Sequence, residues 1–580
     1  MEQTPEYKAD TADTADTIEN NIKQLESIFK VKQVEKEPST LRGILQTKDY
    51  DNFIILSDIG DLLYEFKGAK LANMCLPGDH VEWINGECKL ELRYEHSPIV
   101  GTIELTNKTK YGLTSRGIPM YLFTPYNKSY PHFIVGCSDK NVSHNMIALI
   151  TFDKWKSTFP RGNIKTIVGV SGDYNAEKEA LIWQASPYVY PKYKYNPEQK
   201  NNIKRKVLNG YTFNIDPTGC KDVDDVFTFE ALPIENLCRV TITISDVASY
   251  IDDGSPIDIM ASLIGQTLYD STGEVIRPML PSVYSEKVCS LLPGKESYGV
   301  SLQFIWDGLT ISDIQWFETQ FQTNISYTYE EFQMSDSIYK KLLADIASHL
   351  AQQPLDDSHM WVEQLMIFYN KEAGKKLKES KMGILRKHSE PNMDRLERYT
   401  KQCISADIKK LAYSSAVYCL SDECETMHFG LNSNTYAHAT SPIRRYVDLV
   451  NQRILKLLLN NSIYQYIVPQ TMYDINLREK AIKHFTRDLD FLDGILCNNT
   501  TTKGIILEKI KLDNFVKVVL YIPLWKRTIS TTYKYISENT VLSRDELTVI
   551  DVTDFKEVDI QYSCNMNARN WKERIVISIM

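Results

Sequence analysis

Over its first third the chain alternates apolar and polar positions in short bursts. From Leu41 to about Leu92 the segments Phe53-Ile-Ile-Leu-Ser, Leu62-Leu-Tyr-Glu-Phe and Val81-Glu-Trp-Ile are separated by Gly60, Gly68, Pro77-Gly78 and Asn85-Gly86. Period-two alternation punctuated by glycine, proline and asparagine reads as short strands joined by tight turns, and such a set closes as a small β-barrel. The rhythm recurs from Ile99 to about Gln184, with turns at Arg116-Gly117, Pro160 to Gly162 and Gly169 to Asp173, which predicts a second barrel. Beyond Pro197 strands carrying aspartates come first. Helical spacing follows from about Asp336 to Asn461, with Leu342, Ile346, Leu350 and Val450, Ile454, Leu457 on apolar stripes. From Lys503 the alternation returns (Phe515-Val-Lys-Val-Val-Leu-Tyr-Ile, Arg574-Ile-Val-Ile-Ser-Ile), enough for one more barrel. Residues 9 to 17 repeat Ala-Asp-Thr three times, too poor in apolar side chains to pack. The expected layout is a mobile acidic tail over 1–36, barrels over 37–95 and 96–190, a large core over 191–500 and a last barrel over 501–580.

Composition changes this picture only at the edges. A chain of 580 residues exceeds what one core supports, and 43% hydrophobic with 24% charged residues is ordinary for folded proteins. The formal charge, 66 minus 75 or −9, taken alone argues against a nucleic-acid partner, because the whole-molecule field repels a polyanion. Eleven cysteines form no CxxC pair, and Cys419, Cys424 and His428 lack a fourth ligand, so structural zinc is not expected and the thiols read as free. Met1 to Lys8 is not a secretory start, and apolar runs such as Met146 to Phe152 fall short of a membrane span. The expectation is a soluble, cytoplasmic, monomeric protein with no membrane partner.

The chemistry concentrates in Asp216-Pro-Thr-Gly-Cys-Lys-Asp222-Val-Asp224-Asp225. Four carboxylates this close repel one another in a partly desolvated site unless cations neutralise them. Oxygen-only ligands suit Mg²⁺ or Mn²⁺ rather than Zn²⁺. Alternation would set Asp222 and Asp224 on one face of an extended chain and Asp225 on the other, with the Pro217 to Gly219 turn folding Asp216 back; an acidic surface turn is the plain alternative. The second feature is Thr440-Ser-Pro-Ile-Arg444-Arg445-Tyr446 before a helical run. Paired guanidinium forks at a helix start suit phosphate. Together, clustered carboxylates and arginine are what metal-assisted phosphoryl chemistry needs. No GxSxG elbow, P-loop or GxGxxG is present. Residues 371 to 410 carry a local charge of twelve minus six, +6, which reads as a solvated helix surface or a basic lining for a polyanion.

Ile215-Asp216-Pro217 with Asp222-Val-Asp224-Asp225, then Ile244-Ser-Asp246-Val247, Ile276-Arg-Pro278-Met-Leu-Pro281, Cys289-Ser-Leu-Leu-Pro-Gly294, Val362-Glu363 through Asn370, and His428-Phe-Gly430 leading into Thr440 to Tyr446, follow in order. In this order the chain resembles the RNase II/RNase R (RNB) family of 3′-to-5′ exoribonucleases. Leu41-Arg-Gly-Ile-Leu-Gln46 with Gly78-Asp79, and Trp155, Pro160, Gly162, Gly169 and Gly172-Asp173, look like the cold-shock barrels of the eukaryotic exosome-subunit branch, without room for its PIN domain. The resemblance implies a multidomain α+β protein: an RNB catalytic α/β core flanked by OB-type β-barrels, two N-terminal and cold-shock-like, one C-terminal. It implies that Asp216, Asp222, Asp224 and Asp225 hold Mg²⁺, that Arg444 positions the scissile phosphate with Arg445 beside it, and that Tyr269 stacks on the 3′-terminal base. Glu363 and Tyr329 resemble the pair that reads the ribose 2′-hydroxyl. The implied reaction releases nucleoside 5′-monophosphates processively from single-stranded RNA; nothing in the sequence indicates a larger RNA-decay complex. Departures stand at Ser249, Ala439, Gln452 and Thr486, and an inactive RNA-binding protein on the same scaffold is the rival reading.

Overall fold

The structure, a computed structural model, describes residues 41–580 apart from 59, 192–194, 199–203, 235–236, 403–404, 463–470, 496–499, 566–567 and 569–570. The tail expected over 1–36 lies outside the described residues. Two compact units emerge. One comprises Met1–Pro187, Pro391–Ser414 and Ala481–Met580; the other comprises Tyr188–Glu390 and Ser415–Lys480.

In the first unit, alternation becomes strands as the sequence predicts. Leu62–Lys67, Asn52–Leu56, Leu41–Thr47, His80–Ile84 and Glu87–Leu92 form a five-stranded antiparallel sheet in that spatial order. Its inward positions Leu45, Phe53, Ile55, Val81 and Trp83 make one core. Arg161–Val170, Phe133–Gly136, Met120–Pro125, Ile99–Ile103 and Met146–Lys154 close into a barrel. Gly169 to Asp173 does not lead to another strand. Asp173 accepts from Ala176 N and starts the helix Tyr174–Ala185, the side-chain cap that the first N–H groups of a helix require. The last region is a seven-stranded sheet built on Thr501–Leu512 and Phe515–Ile522. Tyr399, Ile408 and Ala412 share a core with Leu507 and Tyr521, which is why Pro391–Ser414 belongs to this unit.

The second unit is a seven-stranded sheet in the order Lys206–Val207, Ile311–Gln322, Glu296–Trp306, Cys238–Ser245, Asp225–Ala231, Tyr211–Asp216, Ile325–Thr328. One face is apolar: Phe213, Phe227, Phe229, Val240, Ile242, Leu302 and Phe304 pack against Leu343 and Ile346 of helix Ile338–Ala351, Leu365 and Tyr369 of helix Ser358–Ser380, and Val450 and Ile454 of helix Tyr446–Leu459. The alternate positions carry hydroxyls that bond across strands, Thr212 to Thr228 at 2.8 Å, Thr243 to Ser301 at 2.7 Å and Ser301 to Thr319 at 2.7 Å. The period of two thus sorts oil from hydroxyl. The site forms where Tyr211–Asp216 ends and its neighbour Asp225–Ala231 begins.

Candidate active site

Asp216 is the last residue of its strand, and the chain reverses at once. Cys220 N donates to Pro217 C=O at 3.1 Å with Gly219 at φ +81°, a backbone conformation that glycine adopts without strain. Residues 221 to 224 are irregular rather than extended, and strand structure resumes at Asp225. This corrects the alternation argument: Asp222 and Asp224 are not in a strand, so no period of two separates them from Asp225. The loop is tied down by its backbone, Val223 N donating to Ser290 Oγ at 3.1 Å and Leu291 N to Val223 C=O at 3.0 Å.

The four carboxylates meet different surroundings. Asp216 accepts from Asn214 Nδ2 at 2.7 Å, and Asp222 accepts from the Tyr269 hydroxyl at 2.9 Å. Asp224 is 4% exposed; its Oδ1 accepts from Ile443 N at 2.9 Å, while its Oδ2 is buried without a hydrogen bond. Arg444 Nε stands 3.3 Å from that Oδ2 as an ion pair. Burial pushes the Asp224 carboxyl up to about 8, with Arg444 and the Ile443 N–H pulling the other way and Asp222 adding to the rise. Asp225 is raised well above the carboxylate range by burial and then by Asp216 and Asp224, and Asp216 is raised by burial against the opposing bond from Asn214. Burial and mutual repulsion therefore leave the cluster short of positive charge.

The arginine loop is built onto the same scaffold. Asp448, fully buried, accepts from Ser441 N at 2.8 Å and from Arg445 Nη2 at 2.9 Å. Thr267 N donates to Arg444 C=O, and Tyr446 N to Gly265 C=O. The two arginines consequently part company: Arg444 faces Asp224, whereas Arg445 is fastened to Asp448. Asn370, buried on helix Ser358–Ser380, accepts from Ala439 N at 2.8 Å and donates toward Tyr436 Oη and Thr440 Oγ1 at 3.2 Å each, holding the approach to this loop. Asn370 closes the Val362 to Asn370 motif, whereas Asp448 shows in the sequence only as a polar residue within an apolar helical run.

Tyr269 is half-buried over Asp222. Tyr329 reaches the cluster because Asp216 pairs with Thr328 across neighbouring strands, and its hydroxyl proton is held by burial, then by Asp225 and Asp216. Glu363 is exposed on helix Ser358–Ser380. The departures at Ser249 and Gln452 have internal partners. Ser249 Oγ donates to Asp246 Oδ2 at 2.6 Å and accepts from Arg205 at 2.8 Å and Lys456 at 2.7 Å. Gln452 bonds Ser245 C=O at 2.6 Å and Ala248 N at 3.1 Å. Ala439, 1% exposed, uses its backbone N–H on Asn370, and Thr486 Oγ1 bonds back to Ile482 C=O at 3.3 Å. In the basic run, Lys375, Arg386, Lys387, Lys401 and Lys410 form ion pairs with acidic neighbours.

The donor set is carboxylate oxygen, which suits a hard divalent cation. Among the described residues no three His, Cys, Asp or Glu side chains converge as a ready-made cage. Mg²⁺ is compatible with that arrangement, since it typically takes one or two carboxylates and completes its shell with water and phosphate oxygens. Asp224 Oδ2, and Asp216 and Asp225 with the carboxylates that raise them, are the groups whose charge calls for such an ion.

Residues 205–341 and 331–461 match the RNB domain, and residues 120–186 match the Dis3-like cold-shock domain 2. With the sheets, the closed barrel and the aspartate cluster in place, the chain is a mixed α/β multidomain protein that combines an RNB domain with OB-type cold-shock domains. It is similar to the human exosome complex exonuclease RRP44, 24% identical over 456 residues that cover 62% of this chain and 47% of that protein. It is also similar to ribonuclease R of Mycoplasma genitalium, 25% identical over 341 residues, 46% of each. The chain spans about half the length of the curated relatives it matches. Among solved structures, the apo form of Mycoplasma genitalium RNase R superposes with a TM-score of 0.68 at 17% identity, over 93% of this chain and 100% of that one. Yeast Ssd1, described as a pseudonuclease, gives 0.63 at 16% identity, over 94% and 83%. At these identities the superpositions speak for the fold.

Proposed function

We propose that this chain is a 3′-to-5′ exoribonuclease that hydrolyses single-stranded RNA processively to nucleoside 5′-monophosphates with Mg²⁺. The observation that carries the reading is the cluster itself: all four aspartates are present, Asp224 is buried beside Arg444, and the charge of the group is uncompensated. Asp216, Asp222, Asp224 and Asp225 would hold the ion between them, one or two directly and the others through its water shell, and it would supply Lewis acidity and charge neutralisation for attack of water on the last phosphodiester. Arg444, 49% exposed, has a face free to take a phosphate oxygen while its Nε stays by Asp224. Tyr269 offers a ring to the terminal base, and its bond to Asp222 fixes the hydroxyl. Glu363 and Tyr329 supply oxygen groups for a ribose hydroxyl.

Incubation of 5′-labelled and 3′-labelled RNA with the protein and Mg²⁺ tests this. Mononucleotides released from the 3′ end support it; internal cuts refute it. The likeness to Ssd1 favours a second reading, an RNA-binding protein without hydrolysis. Binding of both labels with no product would establish that reading instead.

A further inference from the structure

Tyr329 lies face to face on His359, ring centroids 3.9 Å apart and planes within 9°. Aromatic pairs prefer offset or edge-on contacts with centroids 4.5 to 7 Å apart, so rings this close and parallel are held there by their surroundings. Asp357 holds one of them. Its Oδ1 accepts His359 N at 2.8 Å and stands 3.0 Å from His359 Nδ1, while the same side chain caps helix Ser358–Ser380. The other ring is pinned from behind: Ser358 Oγ donates to Tyr329 C=O at 3.0 Å, and a Thr328/Glu331 capping box fixes the turn on which Tyr329 sits. The stack joins an inner element to an outer one. The Tyr329 hydroxyl lies in the field of Asp225 and Asp216, whereas the His359 side chain is 61% exposed. Glu363 follows four residues after His359 and so shares its face of the helix.

We propose that His359 is a positioning residue for the substrate sugar: by stacking on Tyr329 it fixes that ring beside the 3′-terminal nucleotide and sets the preference for ribose over deoxyribose there. The inference rests on the exoribonuclease reading of the site. A Tyr329 released from its stack must be ordered each time RNA binds, which weakens binding by about two- to tenfold for one side chain. Loss of the fixed hydroxyl falls on ribose-ended substrates and spares those that never used it.

The test uses the full chain, an RNA oligomer and the same oligomer with 2′-deoxy sugars in its last two nucleotides. Affinities are measured by fluorescence anisotropy in EDTA, and kcat and KM with Mg²⁺. His359→Ala is expected to weaken RNA binding and raise KM about two- to tenfold, to leave the deoxy-ended affinity unchanged, and so to shrink the ribose preference by the same factor. His359→Phe keeps a flat ring and is expected to restore it. An unchanged preference in His359→Ala, a His359→Phe no better than His359→Ala, or no preference in the parent protein would each overturn the proposal. A parent that binds RNA with a ribose preference but releases no nucleotide sinks the exoribonuclease reading alone, because the anisotropy ratio still decides what His359 does.

Discussion

Two clusters of acids in the second unit are treated oppositely. Around Asp246, fully buried, Lys456 Nζ lies at 2.6 Å and Arg205 Nη2 at 2.7 Å, and both cations also approach Glu318, at 3.2 and 3.7 Å. Two acids meet two bases, and the Ser249 hydroxyl bonds Asp246, Arg205 and Lys456 between them. At Asp216, Asp222, Asp224 and Asp225 four acids meet Arg444, and Asp216 and Asp225 are driven upward by burial and then by neighbouring carboxylates, Asp222 for the first and Asp216 and Asp224 for the second. The same sheet therefore can neutralise its buried carboxylates with its own side chains, and at one end it does not. Uncompensated charge in a fold that elsewhere balances its books is the mark of a place made for a ligand.

The comparison breaks most sharply at Asp224. Asp224→Asn is expected to lower nucleotide release on the order of 10³-fold with RNA binding largely kept, read from 3′-labelled RNA. If hydrolysis persisted, the uncompensated cluster would not be the reacting centre. In the balanced cluster, Lys456→Met leaves Asp246 and Glu318 facing one base and is expected to cost about 3–5 kcal/mol, seen as a lower urea midpoint. The aspartate cluster also responds to pH. With Asp224 pushed up to about 8 in the folded protein and at the ordinary value of about 4 unfolded, the folded state binds the extra proton between those values. Stability of the metal-free protein therefore falls as pH rises from about 4 to about 8. Thermal melts should show that slope, Asp224→Asn should flatten it, and Mg²⁺ should raise the melting temperature more at pH 8 than at pH 5. Asn370→Ala strands the buried Ala439 N–H and is expected to cost about 1–3 kcal/mol, with a drop in kcat/KM as the Arg444 loop loosens. The smallest effect belongs to Ser249→Ala, about 1 kcal/mol of stability with kcat unchanged; a large change in kcat would show that the balanced cluster reaches the chemistry after all.

Much of this was readable in advance because it depends on neighbours in the chain. The alternating barrel strands and the turn that folds Asp216 back are local. What escaped depends on partners far along the sequence. Nothing near Ser249 announces that its hydroxyl sits between Arg205 and Lys456, and nothing near Arg445 says that Asp448 claims it while Arg444 turns to Asp224. The aspartates failed on period alone, since the residues between the two strands never extend. The Gly169 to Asp173 turn signal falls inside the stretch whose alternation predicts a barrel, and a turn alone does not tell that a helix, Tyr174–Ala185, follows it.

The bond from Ile443 N to Asp224 Oδ1 joins residues 219 positions apart. Contacts of such separation form late, after the loop between them has been closed. During synthesis at about 5–20 residues per second, the aspartates emerge well before the arginine loop that completes their setting. For that interval Asp224 lacks both the Ile443 N–H and the Arg444 guanidinium, so the aspartate cluster reaches its final setting only once the chain has grown past residue 444.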